Sequence, residues 1–155
     1  MLDPFDRAIL RIIQADNKTP QRVIAAAVNL SAAAVQRRIA AMERSSVISR
    51  NVALVDPEAI GLTITSIVEV KLKNERFETV EAARQLFLAT PEVQQVYYVT
   101  GGVSFVLVIV TADMPSYERL TRRLFNETSY FDDFRSLIAL NRVKVEGAVA
   151  IPSAP

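Results

Sequence analysis

Gln36, Arg37, Arg38 and Arg44 fall in one stretch, SAAAVQRRIAAMER, whose alanines leave the polar side chains room to reach outward. A glutamine amide can bond two positions on one base edge, adenine above all, and a guanidinium can bond guanine or a phosphate. Ala32 and Ala33, at the front of the stretch, are small enough to approach a groove floor and meet thymine methyl groups. Thr19, Arg22, Arg44 and Arg50 are of the types that hold a phosphate backbone, which positions a protein without specifying sequence. Arg38 carries two readings, a phosphate contact or an internal ion pair with Glu43. From Gln21 to Arg50 five arginines stand against the one acid Glu43, a net +4 that favours a polyanion.

Those side chains need a scaffold, and the residues from Thr19 to Arg44 describe one. Thr19-Pro20 is a start signal, a cap oxygen followed by a proline whose fixed φ suits the first helical position. Val23, Ile24, Ala27 and Val28 recur at helical spacing. Asn29 tolerates positive φ, and the Ser31 hydroxyl can cap a second helix, in which Val35, Ile39 and Met42 share one face and Ala32, Ala33, Gln36, Arg37 and Ala40 another. This is the layout of a helix-turn-helix, whose second helix enters the major groove. Paired amphipathic helices also occur in proteins that never touch DNA; the charge of the segment separates the two readings. Upstream, Asp3-Pro4-Phe5-Asp6 resembles a capping box, and Phe5, Ile9, Ile12 and Ile13 give that helix a stripe to bury as the third member of a trihelical unit.

The chain has 155 residues, half of them hydrophobic, with no Cys and no His. Disulfides and thiolate chemistry are therefore absent, as are the commonest general base and the commonest transition-metal ligand. An enzyme is not expected, nor a cofactor. No apolar run approaches the roughly 18 residues of a membrane span, and the acidic N-terminus is unlike a signal peptide, so the expected location is cytoplasmic, away from membranes. The net charge of +1 hides an asymmetry: residues 1–56 hold eight basic and five acidic residues, residues 57–155 ten and twelve. The basic end is the helix-turn-helix end.

Beyond Arg44 the period changes. Val47 to Asp56 reads as a strand leading to a hinge at Asp56-Pro57 and Gly61, giving a DNA-binding domain over 1–50, a strand and linker over 51–62, and a second domain over 63–155. There, Thr63 to Lys73 alternates as a strand and Phe77 to Ala89 is helical until Pro91. Val93 to Thr100 is a strand, Gly101-Gly102 a turn, and Val103 to Thr111 a nearly continuous apolar strand central in the sheet. Asp113 caps a helix from Met114 to about Glu127 with Tyr117, Leu120, Leu124 and Phe125 inward; Phe134 to Val145 is a last strand, and Ala148 to Ile151 a short edge strand. The fold class is α+β, an N-terminal winged-type helix-turn-helix and a C-terminal ferredoxin-like βαββαβ domain. Ile64, Val99, Phe105, Leu107 and Ile109 are read as apolar surface on the sheet face away from the helices, which predicts a homodimer.

With both halves placed, the chain resembles the Lrp/AsnC, or feast/famine, family of transcriptional regulators. The resemblance runs through Leu2-Asp3, Asp6-Arg7 and Ile9-Leu10; Leu30-Ser31, Val35 and Arg37-Arg38-Ile39; Val47-Ile48; Leu54, Asp56-Pro57 and Gly61-Leu62; Val68-Glu69-Val70; Pro91-Glu92-Val93; Val99-Thr100-Gly101; and Asp113 with Tyr117. It implies dimers joined through the C-terminal sheets, often assembled further, and a small-molecule effector, usually an amino acid. The implied effector contacts are Tyr98, Thr100, Gly101, Gly102, Val103 and Ser104. At residue 104 the family's usual aspartate is replaced by Ser104, a neutral hydroxyl where a carboxylate would meet an ammonium group. That departure leaves open a different effector, or an effector-independent architectural protein that wraps DNA. Sirohaem decarboxylases share the architecture but depend on histidine, which this chain lacks.

Overall fold

In the computed structural model, which describes residues 2–152, the first helix, α1 (Pro4–Ala15), begins in a complete capping box. The Asp3 carboxylate accepts from the Asp6 backbone N–H at 2.8 Å, and the Asp6 carboxylate accepts from that of Asp3 at 3.1 Å. Helix α2 (Gln21–Val28) ends at Asn29, whose φ of 55° lets the chain turn sharply into α3 (Ala32–Arg44). Ile9, Ile24, Ala25, Val28, Val35 and Met42 form the buried core of these three helices, so the trihelical unit is as the periodicity predicts. Two details differ. Thr19 does not cap α2; its hydroxyl donates to the Asp16 carbonyl at 2.8 Å and closes the preceding turn. Ala25, not Ala27, faces inward, and Val23 is half exposed.

The second compact unit runs from Val55 to Lys144. Its sheet contains β1 (Ile64–Leu72), β2 (Val93–Tyr98), β3 (Phe105–Thr111) and β4 (Phe131–Ile138), all antiparallel to their neighbours, in the order β2-β3-β1-β4. Helix α4 (Phe77–Leu88) follows β1, and α5 (Met114–Thr121), continued by a π-helical turn at Arg122–Asn126, follows β3. This is the ferredoxin-like βαββαβ arrangement with β3 inside the sheet. The Asp113 carboxylate caps α5 by accepting from the Ser116 N–H at 2.7 Å. Tyr117, Leu120, Leu124 and Phe125 are buried with Ala83 and Phe87 of α4. Around Phe87 the aromatic rings of Phe105 and Phe131 stand 5.4 and 5.6 Å away, centroid to centroid, a dense apolar centre.

Pairing decides which residues of the sheet meet that centre. Val68 lies opposite Leu107, and Val70 opposite both Phe105 and Phe134, so these share the helix-facing side. Phe105, Leu107 and Ile109 are at most 1% exposed there. The expectation that they formed the outer face is therefore corrected. The run FVLVIV is apolar at every position, and alternation cannot tell its two faces apart. The face away from the helices carries Ile67, Val106, Val108, Tyr97 and Leu137, with an Arg135–Glu69 ion pair of 2.6 Å.

Three expected strands also change. Val47 to Asp56 forms none: it pairs with no strand of the sheet, and Val52, Leu54 and Val55 stand 63%, 80% and 62% exposed. The last strand is Phe131–Ile138 rather than Phe134 to Val145, its ladder ending where Ala139 N–H donates to the Thr65 carbonyl at 2.9 Å. Ala148 to Ile151 is not an edge strand; the chain from Val145 on belongs to the compact unit that runs up to Leu54. Its backbone is tied to α1 by side chains one helical face apart: Arg7 donates to the Pro152 carbonyl, Arg11 to that of Ile151, and Gln14 to that of Val149. Among the described residues no helix is long and apolar enough to cross a membrane.

Candidate nucleic-acid interface and ligand loop

Helix α3 is started by Ser31, whose hydroxyl accepts from the Ala34 N–H at 3.2 Å. Its orientation is fixed by Val35 and Met42, 0% and 3% exposed, pressed into the three-helix core. With those residues inward, Ala32, Ala33, Gln36, Arg37 and Arg44 are exposed together on the opposite side. Arg22 and Arg50 are exposed as well. The expected reading residues thus share one accessible face, with the alanines leaving Gln36 unobstructed. Replacing the cap, Ser31→Ala, is expected to cost about 1 kcal/mol of unfolding free energy, measurable by urea denaturation, because one α3 N–H loses its acceptor.

Thr19 and Arg38 are otherwise engaged. The Thr19 hydroxyl is spent on Asp16. Arg38 Nη1 lies 2.7 Å from both Asp3 Oδ2 and Asp6 Oδ1, and its guanidinium carbon sits 5.5 Å from the centre of the Phe5 ring. Of its two readings the internal one holds, with the first turn of α1 as partner. Glu43 instead accepts from Asn51 Nδ2 at 2.8 Å. The same two aspartates cap α1 and pin α3, so one ion cluster sets the angle between recognition helix and first helix. The Asp6 N–H, with Arg38 behind it, holds the Asp3 carboxyl below the usual carboxylate range; the two carboxylates raise the Arg38 guanidinium.

In the other unit, Val99 N–H donates to the Ser104 carbonyl at 3.0 Å and closes the loop between β2 and β3. Gly101 and Gly102 have φ of 110° and 98°, where any side chain would strain the backbone. Tyr98, Thr100, Gly101 and Gly102 are exposed, whereas Ser104 is 2% exposed and turned inward. Its hydroxyl accepts from the Leu72 N–H at 3.0 Å and donates to Glu75. Tyr98 donates to the other Glu75 oxygen at 2.8 Å, a bond that raises the phenol's pKa.

Glu75 is the residue that sequence reasoning missed. It is 29 positions from Ser104 in the chain, and only the pairing of Val70 with Phe105 brings the end of β1 beside the loop. Residue 104 itself is a neutral hydroxyl, as the sequence reads, and that hydroxyl donates to the carboxylate of Glu75. Among the described residues no group of three or more acidic side chains could hold a metal ion.

Residues 2–43 match the model of the AsnC-type helix-turn-helix domain, and residues 65–149 that of the Lrp/AsnC ligand binding domain. The chain belongs to the Lrp/AsnC family. An uncharacterised HTH-type transcriptional regulator of Sinorhizobium fredii is 37% identical over 150 residues, which span 97% of this chain and 89% of that one. The DNA-binding transcriptional activator DecR of Escherichia coli is 29% identical over 97% of this chain and 99% of its own. Among solved structures, an AsnC family transcriptional regulator from Agrobacterium tumefaciens superposes with a TM-score of 0.90 at 30% identity, covering 96% of this chain and 97% of that one. Lrp/AsnC proteins are transcriptional regulators rather than enzymes, in keeping with a chain that lacks histidine and cysteine.

Proposed function

We propose that this Lrp/AsnC protein is a sequence-specific DNA-binding regulator of the cytoplasm, acting as a homodimer or a multiple of dimers and modulated by a small molecule bound at the loop after β2. The observation that carries the DNA reading is the exposed face of α3, where Gln36 is flanked by Ala32 and Ala33 and by the cations Arg37 and Arg44. Gln36 reads a base edge, Arg37 a guanine or a phosphate, and Arg22, Arg44 and Arg50 hold the backbone. Ser31 and Thr19 contribute through the turns they close, and Arg38 through the set of the helix. Pairing of two copies presents two such helices to half-sites about 34 Å apart, or a multiple of it.

Selection of bound fragments from genomic DNA, repeated with and without amino acids, tests this directly. A common, roughly palindromic site is expected. On that site Gln36→Ala relaxes sequence preference at one position of each half-site by about 1–3 kcal/mol. Arg44→Ala weakens all DNA alike and lowers the salt slope by about one per half-site. Equal binding of every sequence by the parent protein, unaffected by any amino acid, supports the architectural wrapping reading instead.

A further inference from the structure

The chain passes between its two compact units twice, after Leu54 and after Lys144. The first passage belongs to residues 45–63, which contain a 3-10 turn at Glu58–Ile60 and no strand, with Val52, Leu54 and Val55 largely exposed. Such a segment is a compliant joint, and by itself it would let the helix-turn-helix unit turn. The second passage continues into residues 145–152, which run opposite to α1 along one stripe of that helix. Gln14 meets Val149 in both directions, its amide donating to the carbonyl at 2.8 Å and accepting from the N–H at 3.2 Å. Arg11 donates to the Ile151 carbonyl at 3.2 Å, and Arg7 to that of Pro152 at 3.1 Å. Positions 7, 11 and 14 are three and four apart, the spacing of a single helical face.

The grip is on the backbone. Residues 145–150 are all exposed and Ile151 is only half-buried, so burial of side chains does little to hold the segment. Hydrogen bonds within reach of water open readily, which makes this a fastening that holds without being permanent. The two passages also lie together in the sheet unit, where Arg142 Nη1 stands 3.8 Å from Asp56 Oδ1. A body joined at one point swivels; joined at two, it hinges about a single line.

We propose that Arg7, Arg11 and Gln14 make residues 145–152 a second tether of the helix-turn-helix unit, and that this tether restricts the half-site spacing the paired protein accepts on DNA. With it fastened, the two recognition helices of a pair are presented at a set separation. With it released, each unit swings on residues 45–63 and reaches half-sites at several spacings. The inference rests on the reading of α3 as the DNA-facing helix and of the protein as a pair. Arg7, Arg11 and Gln14 are positioning residues in it, acting through the chain rather than on the DNA.

The test uses the full chain, which has no cysteine, so Gln14→Cys with Val149→Cys supplies its only two thiols. The double variant loses both Gln14–Val149 bonds without any change of charge, and a short bis-maleimide bridge between the thiols refastens the segment. Binding is measured on duplexes whose half-sites stand at the selected spacing or half a helical turn away from it. The parent is expected to bind the shifted duplex, displaced by about five base pairs, at least about tenfold more weakly. The unbridged variant should bind the two duplexes within about threefold of each other, and the bridged one should discriminate as the parent does. Affinity for a lone half-site should be the same with and without the bridge, because α3 is unaltered. Thiols that fail to bridge within one chain, or bridged and unbridged forms that discriminate alike, overturn the tether while the DNA reading stands. A lone half-site affinity that falls in the unbridged form also overturns it, by making the contact a support of the helical fold alone. A parent protein that binds no duplex at any spacing overturns the reading of α3 as well.

Discussion

Val108→Asp is expected to turn the protein into a monomer with its fold intact. Val108 lies in β3 between Ile67 and Gln95 of the neighbouring strands, on the sheet face away from the helices. Ile67, Val106, Tyr97 and Leu137 surround it, and Tyr97 and Leu137 are 53% and 47% exposed in the single chain. A contiguous apolar surface on a sheet face is what two-fold pairing of identical copies covers. In such a pair each substitution occurs twice, and an unpaired carboxylate taken out of water costs about 3–5 kcal/mol. Two of them in the proposed pair raise the dissociation constant by at least about a thousandfold. Sedimentation at micromolar concentration reads this directly, and near-UV circular dichroism reports on the Phe87 centre on the other side of the sheet. A Val108→Asp protein that still sediments as the parent does would rule out this face as the interface. Operator affinity should fall with the dimer, since a lone recognition helix engages a single half-site.

The parts of this molecule legible in its sequence were those governed by neighbours along the chain. The Asp3–Asp6 box, the Ser31 and Asp113 caps and the left-handed Asn29 depend on residues within three or four positions, and each stands as read. Alternation at the end of β1 placed Val68, Val70 and Leu72 inward because the intervening positions there, Glu69 and Lys71, are charged. What failed depended on partners far away in sequence. In β3 both faces are apolar, so only the register with β1 could show that Phe105, Leu107 and Ile109 face the helices. Arg38 found its carboxylates more than thirty residues upstream rather than at Glu43, and Glu75 reached Ser104 through strand pairing. The β-rich composition of Val52 to Val55 records a local preference that is not realised here, because a strand also needs a neighbouring strand to pair with and this segment has none.

Ile9→Ala is expected to produce a protein that still dimerises but no longer binds DNA. Ile9 is fully buried, and the core it joins has five other buried side chains, Ile24, Ala25, Val28, Val35 and Met42. None of these belongs to the core centred on Phe87, which lies in the other compact unit. Removing the outer carbons of a buried isoleucine costs about 2–5 kcal/mol, through lost burial and the cavity left behind. A unit of this size has only about 3–9 kcal/mol to lose. The helix-turn-helix unit is thus brought close to its unfolding threshold, while the sheet and its open face are untouched. Calorimetry should show one transition moved to much lower temperature and another in place, with sedimentation unchanged. Ile9→Val, which removes a single methyl group at about 0.5–1.5 kcal/mol, should retain operator binding and serves as the control. A single transition that shifts as a whole would mean that the two cores melt together and would contradict this division of labour. If they are separate, the alanine variant mixed with the parent forms dimers carrying one working head, and operator binding falls as its share rises, although nothing at the DNA-facing surface has been altered.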